Sequence, residues 1–457
     1  MMKNIKILPR GCYLSCMLLA SAGVQATTLQ QAVNAANHYD AGISAARNSQ
    51  AAGLEKRTQG FAGLLPSVQL ESSYYKQDQP QAKNDAGVTR HSYSVNLTQP
   101  LFDMSKFAAY QRGDAIANSA DMELLLAQQK MISEVADAFF QVLYQRDVLQ
   151  AARSARQTFE RQLEQAKMAL RIGEGIRTDV DEAQANFDRA QAQEIAAVND
   201  LEVANGVYQR LTGMDAEQVN AIPMECVRAT SVMDLKTVMQ QAAIDNLEVR
   251  AAQFQLEQSK ADLLAANGAH LPVVSLQASY GTNWSRSEQN NVLYDALFGS
   301  DSKTRNTTVG INVSVPLFAG GGQLSQSREA ISRREQSRDS LEDARRKARQ
   351  EARSSYLGIT NGLALFKAQE RTVASAQSKV KSTQYGREMG QRTVIDELNA
   401  EQGYYDALRD MAEARYKYLV AKLKFSAALG RLDYAALGDF ECNGGQKPGI
   451  NSHGIAG

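Results

Sequence analysis

Hydrophobic and polar residues alternate with a period of two in short segments of this chain. Within residues 68–74 and within residues 309–315, apolar side chains fall almost wholly on one side and polar or small ones on the other. Prolines bracket the two strand pairs to which these segments belong: Pro66, Pro100, Pro272 and Pro316. The pattern predicts β-strands with one apolar and one polar face. By itself it fits both an ordinary half-buried hairpin and the strands of a membrane barrel.

Most of the remaining chain has helical periodicity and lacks helix breakers. No proline occurs in residues 103–221 or 318–446, and an interior proline would remove a backbone hydrogen bond and clash with the preceding turn. Apolar residues at three- and four-residue spacing form seams typical of packed helices: Val135, Phe139, Val142 and Leu149, and Tyr356, Ile359, Leu363 and Phe366. We therefore expect long helices. The first runs from Asp103 to about Arg171 and extends about 100 Å.

The chain is a tandem duplication. Three matches recur in the same order in both halves: LLPSVQL at Leu64 with HLPVVSL at His270, VNLTQPLF at Val95 with INVSVPLF at Ile311, and GIRTDVDE at Gly175 with GQRTVIDE at Gly390. We assign residues 27–234 to the first repeat and residues 235–442 to the second. Each repeat is predicted to run helix, strand, strand, long helix, helix.

The lengths of the predicted helices favour a tube. The helices before Pro66 and after Thr178 are each about half as long as the one between them, so two short helices placed end to end match one long helix. Four strands cannot close a barrel, and eight strands from a dimer would enclose no channel. We therefore predict an α+β membrane protein. Its trimeric, twelve-stranded β-barrel, with four strands per protomer, continues as a long periplasmic α-helical barrel.

The first 26 residues have the pattern of a signal peptide. Basic residues up to Arg10 are followed by an apolar stretch from Cys12 to Val24 and by the small residue Ala26, so residues 1–26 are predicted to be removed. No later run of about 18 apolar residues could form a membrane-spanning helix. The periplasm, the exterior or an outer-membrane barrel therefore remain as locations. The Gly-rich segment 443–457 is predicted to be a flexible tail.

Charge and candidate catalytic residues exclude several functions. Lys and Arg together number 50, as do Asp and Glu, so the net charge does not indicate a nucleic-acid partner. Gly320-Gly321-Gly322 lacks the Gly-Lys-Ser/Thr of a phosphate-binding loop. The histidines show no metal-ligand spacing: His38, His91, His270 and His453. We predict no enzymatic activity, no cofactor and no metal site.

Two cysteines remain after removal of the signal peptide, Cys226 and Cys442. Disulfides form and persist in oxidising compartments outside the cytosol. Two thiols alone define no disulfide framework, so the sequence leaves open whether they are paired or free.

Several segments resemble the TolC family of outer-membrane export ducts over nearly the whole mature chain. They are FDMSK at Phe102, GAHLP at Gly268, GQRTVID at Gly390, ARY at Ala414 and ALG at Ala428. The resemblance implies a homotrimeric duct in outer-membrane lipid. A periplasmic membrane-fusion adaptor would connect the duct to an inner-membrane ABC transporter or a proton-driven efflux pump, which supplies the energy.

The same resemblance implies a gate at the inner ends of the helices. By position, Thr178 and Asp179 of the first repeat would meet Arg392 of the second, and an arginine fork on a carboxylate and a hydroxyl is directional and breakable. Where the family has a tyrosine, this chain has Arg387, which we expect to pair with Asp179 as well. The alternative is that all four are solvated charges and hydroxyls of helix turns.

A ring of carboxylates at the constriction of the lumen is also implied. Asp396 matches the first aspartate of that ring, and Asn399 replaces the second. The trimer would then carry three carboxylates there rather than six, so block by divalent cations is expected to be weaker and to depend on Asp396.

Three functions are compatible with these features. We favour passive conduction in type I protein secretion, because the resemblance is to TolC-like ducts rather than to lipid-anchored drug ducts. The first alternative is a duct for efflux of drugs or other small molecules. The second, of another class, is a periplasmic coiled-coil scaffold without a conducting lumen, which would explain the helices but not the repeated strand pairs.

Overall fold

The structure consists of long helices and one small sheet. The computed structural model describes residues 27–77, 88–222, 233–287 and 302–440. Within them the helices are α1 (Leu29–Tyr39), α2 (Ala41–Ala62), α3 (Met104–Arg171), α4 (Arg177–Thr212), α5 (Leu235–Asp245), α6 (Leu247–Gly268), α7 (Gly322–Glu388) and α8 (Val394–Ala428). The strands are β1 (Ser67–Gln77), β2 (Val88–Phe102), β3 (Val273–Ser287) and β4 (Ser302–Ser314). The predicted signal peptide, Cys226, Cys442 and residues 443–457 lie outside the described residues.

The two halves contain the same elements in the same order, as the duplication predicts. The long helices α3 and α7 have 68 and 67 residues, and the helices that follow them, α4 and α8, have 36 and 35. At 1.5 Å per residue each long helix extends about 100 Å. Among the described helices, none combines the length and the hydropathy needed to cross a membrane.

The helical segment before each first strand is divided in two, which the sequence interpretation did not anticipate. Asp40 ends α1 and its carboxylate accepts a hydrogen bond from the N–H of Gly42 at 2.5 Å. Asn246 has the same role between α5 and α6, where its Oδ1 accepts from the N–H of Glu248 at 2.9 Å. Both side chains cap the following helix. As a result α2 packs along α3, whereas α1 contacts both α3 and α4.

The strands form one antiparallel sheet in the order β1-β2-β3-β4. Its register places apolar residues in one row across the sheet: Val68, Leu97, Ala278 and Val309. The next row, on the opposite face, is polar: Gln69, Asn96, Ser279 and Thr308. In the single chain, Leu70 is 74% exposed and Val309 is 70% exposed. The predicted alternation is therefore confirmed, and none of the residues that the structure describes covers the apolar face of the sheet.

The helices pack in a long layer in which α3 joins the two repeats. Helices α2 and α4 pack on α3, α6 and α8 pack on α7, and α3 also contacts α6 and α8. The largest buried cluster surrounds Phe139, Tyr208 and Tyr418, all at most 1% exposed. Beside it, Arg146 donates a hydrogen bond to the carbonyl of Val219 and Arg415 donates to that of Ile222, each at 2.8 Å. These bonds hold the segment after α4 against the middle of the helices.

Candidate functional site

The two helical hairpins end in turns of the same construction. We call residues 172–176, between α3 and α4, the first tip, and residues 389–393, between α7 and α8, the second tip. Gly173 and Gly390 have φ of +84° and +71°, a conformation that favours glycine. The N–H of Glu174 donates to the carbonyl of Ala169 at 2.9 Å, and the N–H of Gln391 donates to that of Gly386 at 2.8 Å. The duplication thus produced two equivalent ends.

The predicted gate residues of the first repeat lie immediately after the first tip. Thr178 is exposed and Asp179 is half-buried, both in the first turn of α4, where the helix dipole favours a negative charge. Within the described chain no ion pair joins Asp179 to Arg387 or Arg392. The contact between the repeats that was expected at Asp179 is therefore not made inside one protomer.

Arg387, in the last turn of α7, has a different partner from the one expected. Its Nε lies 2.5 Å from Oε2 of Glu397, although its N–H does not point at a hydrogen-bond acceptor. The Glu397 side chain is only 6% exposed, and a buried carboxylate needs a nearby cation. Within the described chain Arg387 thus pairs with Glu397, and its pairing with Asp179 of a neighbouring copy stays a prediction.

Arg392 and Asp396 lie at the start of α8. The Arg392 side chain is exposed, and the Asp396 carboxylate accepts hydrogen bonds from the N–H and the hydroxyl of Thr393, both at 3.0 Å. The backbone bond, then the hydroxyl, and to a lesser extent Arg392, lower the pKa of Asp396. Asp396 therefore stays ionised at neutral pH and caps its own helix. Asn399 is exposed nearby, and a carboxylate ring in a trimer stays a prediction.

A second cluster behind the tips was not found by the sequence interpretation. Glu401 of α8 is 5% exposed. Its Oε2 accepts from Nε2 of Gln162 on α3 at 2.6 Å, and its Oε1 accepts from Nε2 of Gln384 on α7 at 3.4 Å. Burial, and next the negative charge of Glu397 one turn away, raise the pKa of Glu401 to about 7. This glutamate therefore changes charge near neutral pH.

The sequence does contain a signal for this cluster. Val394, Leu398 and Tyr405 follow the spacing of a buried helical stripe, and Leu398 and Tyr405 pack with Phe159. Glu397 and Glu401 fall on the same stripe, at i+3 and i+7 from Val394. Charged residues at buried positions are rare unless they are paired or functional.

The chemistry available at the tips is reversible bonding between helices. The part of the chain that the structure describes contains no group of three or more His, Cys, Asp or Glu side chains placed to hold a metal ion. Instead, an ion pair joins α7 to α8 within the second repeat, and a hydrogen bond joins α8 to α3 of the first repeat. Such contacts are directional and can be broken and reformed.

The fold is that of outer-membrane channels. It matches the outer membrane protein VceC from Vibrio cholerae with a TM-score of 0.74 at 15% identity, covering 88% of this chain and 96% of that one. It matches the Campylobacter jejuni CmeC outer membrane channel with a TM-score of 0.74 at 15% identity, covering 91% and 90%. The fold class predicted from strand count, helix length and duplication is therefore confirmed.

The chain belongs to the outer membrane efflux protein family, whose pattern matches residues 24–213 and 238–431. It is 30% identical over 412 residues to outer membrane protein TolC of Salmonella enteritidis, covering 90% of this chain and 83% of TolC. It is 32% identical over 441 residues to the alkaline protease secretion protein AprF of Pseudomonas aeruginosa, covering 92% and 88%. The resemblance drawn from the sequence is confirmed. The chain is an outer-membrane protein of an efflux and secretion duct family, and its relatives are channels rather than enzymes.

Proposed function

We propose that this chain is the outer-membrane exit duct of a type I protein secretion machine. Three copies form a passive conduit that receives substrate from an inner-membrane ABC transporter through a periplasmic adaptor. The sheet carries the proposal: its apolar face is exposed in the chain, and the edges of β1 and β4 are unpaired in its strand order. An unpaired strand edge offers backbone N–H and C=O groups to another strand, and a large exposed apolar face marks a surface for protein or membrane contact.

Three sheets joined edge to edge satisfy both requirements. Each β4 would pair with β1 of the next copy, and the resulting twelve-stranded barrel would turn its apolar rows to lipid and its polar rows to water. The strands have 11 to 15 residues, enough to cross a bilayer when tilted. The helices would continue the lumen for about 100 Å into the periplasm.

Protein secretion is favoured over efflux by the relatives. AprF and the proteases secretion protein PrtF of Dickeya chrysanthemi align over 92% and 96% of this chain. The outer membrane efflux protein BepC of Brucella suis aligns over 77% at 25% identity. Deletion of the gene in its own host should remove at least one protein from the culture medium and leave drug susceptibility unchanged. Increased susceptibility with unchanged secretion would replace this proposal with the efflux alternative.

The tips are proposed to form the periplasmic gate between protomers. Thr178 and Asp179 of one copy would bind Arg392 of a neighbouring copy, and three Asp396 carboxylates would line the constriction beside Asn399. The exposure of Thr178 and Arg392, and the absence of an ion pair to Asp179 within the described chain, support contacts between copies rather than within one.

Planar-bilayer recording of the purified trimer tests both the duct and the gate. Asp179→Ala and Arg392→Ala should each raise single-channel conductance, because either removes one partner of the proposed contact between Asp179 and Arg392 of a neighbouring copy. Asp181→Ala is the matched control, since Asp181 lies two residues after Asp179 on α4 and its ion pair with Arg177, at 3.8 Å, is exposed. Unchanged conductance in both gate variants would contradict the proposed contact between Asp179 and Arg392. A trimer that conducts in no variant would favour the scaffold.

A further inference from the structure

One carboxyl group links three helices just behind the tips. Glu401 of α8 accepts a hydrogen bond from Gln162 of α3 at one oxygen and from Gln384 of α7 at the other. Gln384 lies within two turns of the end of α7. The position of this end of α8 relative to α3 therefore depends partly on the state of a single side chain.

The charges around Glu401 do not neutralise it. Glu397, one turn earlier on α8, is also buried and already holds Arg387 of α7. The hydrogen bonds donated by Gln384 and Gln162, and then Arg161 of α3, favour the ionised form of Glu401, but together they do not offset burial and the charge of Glu397. Tyr405 of α8 is hydrogen-bonded to Thr158 of α3 at 2.8 Å. Of the buried carboxylates of Glu397 and Glu401, Glu397 is therefore the one that is paired with Arg387.

The hydrogen bonding at Gln162 also fits a neutral Glu401. The Oε1 atom of Gln162 is buried without a hydrogen-bond partner, although its Nε2 binds Glu401. A carboxylate can only accept hydrogen bonds, whereas a carboxylic acid has one donor and one acceptor, the complement of an amide. A protonated Glu401 can therefore satisfy both polar atoms of Gln162, and an ionised Glu401 can satisfy only one.

We propose that Glu401 is a proton-operated joint, which fastens α8 to α3 and α7 when protonated and releases α8 from α3 when it loses its proton. Burial and Glu397 raise the pKa of this carboxyl from 4.5 to about 7. The fastened state thus binds a proton more tightly than the released state. The joint is strongest at low pH, weakens between these two values and changes little above the upper one.

The effect of the joint on conduction rests on the proposed function. Asp396 lies on the same end of α8, and Arg392 lies two residues before the first residue of that helix. Release of α8 from α3 would therefore displace side chains assigned to the gate. Acidification is therefore expected to favour the closed duct, and a rise from acidic to neutral pH to favour opening.

Hydrogen exchange of the full-length trimer in detergent, read by mass spectrometry, tests the joint without requiring conduction. From about pH 6 to about pH 8, with intrinsic rates corrected, local opening of residues 394–405 should increase about tenfold in the wild type. In Glu401→Gln, which keeps a neutral side chain of similar shape, opening should be slow at both pH values. Glu413→Gln is the control, because Glu413 lies on the same helix in an exposed pair with Lys417.

The outcomes of this experiment distinguish a failure of the Glu401 proposal from a failure of the proposed duct function. Wild-type exchange without pH dependence, or pH dependence that survives in Glu401→Gln, would refute the joint. An exchange switch present in the wild type and lost in Glu401→Gln, in a trimer that conducts at no pH, would support the joint and refute the duct. The control should keep the wild-type response, and its loss would mean that general repulsion between carboxylates explains the effect.

Discussion

The close approach of α2 to α3 gives a prediction that can be worked through from distances. A Cβ added to Gly113 of α3 would lie 2.3 Å from the carbonyl oxygen of Lys56 and 3.0 Å from its carbonyl carbon. Both atoms belong to the α2 backbone, so no side-chain rotation can relieve the contact. An ordinary contact needs about 3.5 Å, and the helices would have to separate by about 1 Å.

Gly113→Ala should therefore destabilise this helix pair. Overpacking costs about 1–3 kcal/mol, and replacing a helical glycine by alanine recovers at most about 1 kcal/mol. We expect a net loss of about 1–2 kcal/mol, measured as faster hydrogen exchange across α2. Gly206→Ala in α4 is the control, because its Cβ would meet nothing within 4 Å, and it should stabilise by about 0.5–1 kcal/mol. If Gly113→Ala and Gly206→Ala changed the stability in the same direction and by the same amount, the argument from the close backbone contact at Gly113 would be refuted.

Two further substitutions probe the packing behind the tips and the break between α5 and α6. Phe159→Ala removes a side chain that is 0% exposed and should cost about 3–5 kcal/mol of stability. The loss should be measured as a lower temperature of trimer dissociation. Leu170→Ala is the control, because Leu170 is 40% exposed, and it should change this temperature little. Asn246→Ala removes a helix cap and a hydrogen bond to the carbonyl of Ala428 at 3.1 Å, and should cost about 1–3 kcal/mol. Asp40→Ala, which removes a cap alone, should cost less, and equal losses would mean that the bond to Ala428 contributes nothing.

The fold was predictable where local patterns determine it. Alternation at residues 68–74 and 309–315 gave the strands, because one face must be apolar in any sheet of this kind. The breaks at Asp40 and Asn246 were missed for a physical reason. Both residues are good helix caps, but whether such a residue ends a helix depends on whether tertiary packing favours two helices over one, and no proline marks either position.

The candidate site was predictable only in part. Gly390 and Arg392 of the second tip follow from the duplicated motif, but that motif aligns Gly390 with Gly175, whereas Gly173 has the positive φ in the first tip. Which charges meet does not follow, because it depends on the rotation of one helix against another. The sequence predicts that Arg387 pairs with Asp179, whereas within the described chain its near partner is Glu397, a residue of its own repeat.

The order of strands in the sheet has a consequence for how the chain folds. The β1–β2 and β3–β4 ladders join neighbouring strands, but the central β2–β3 ladder joins the two repeats. Each hairpin can form once its own half has been made, whereas the central ladder must close a loop through α3 to α6. Such non-local pairing is slow, and until it forms the inner edges of both hairpins can pair with other chains. The two hairpins of one chain must therefore pair with each other before either of them pairs with a neighbouring chain. We expect formation of the β2–β3 ladder, which joins the two repeats, to limit the rate of folding.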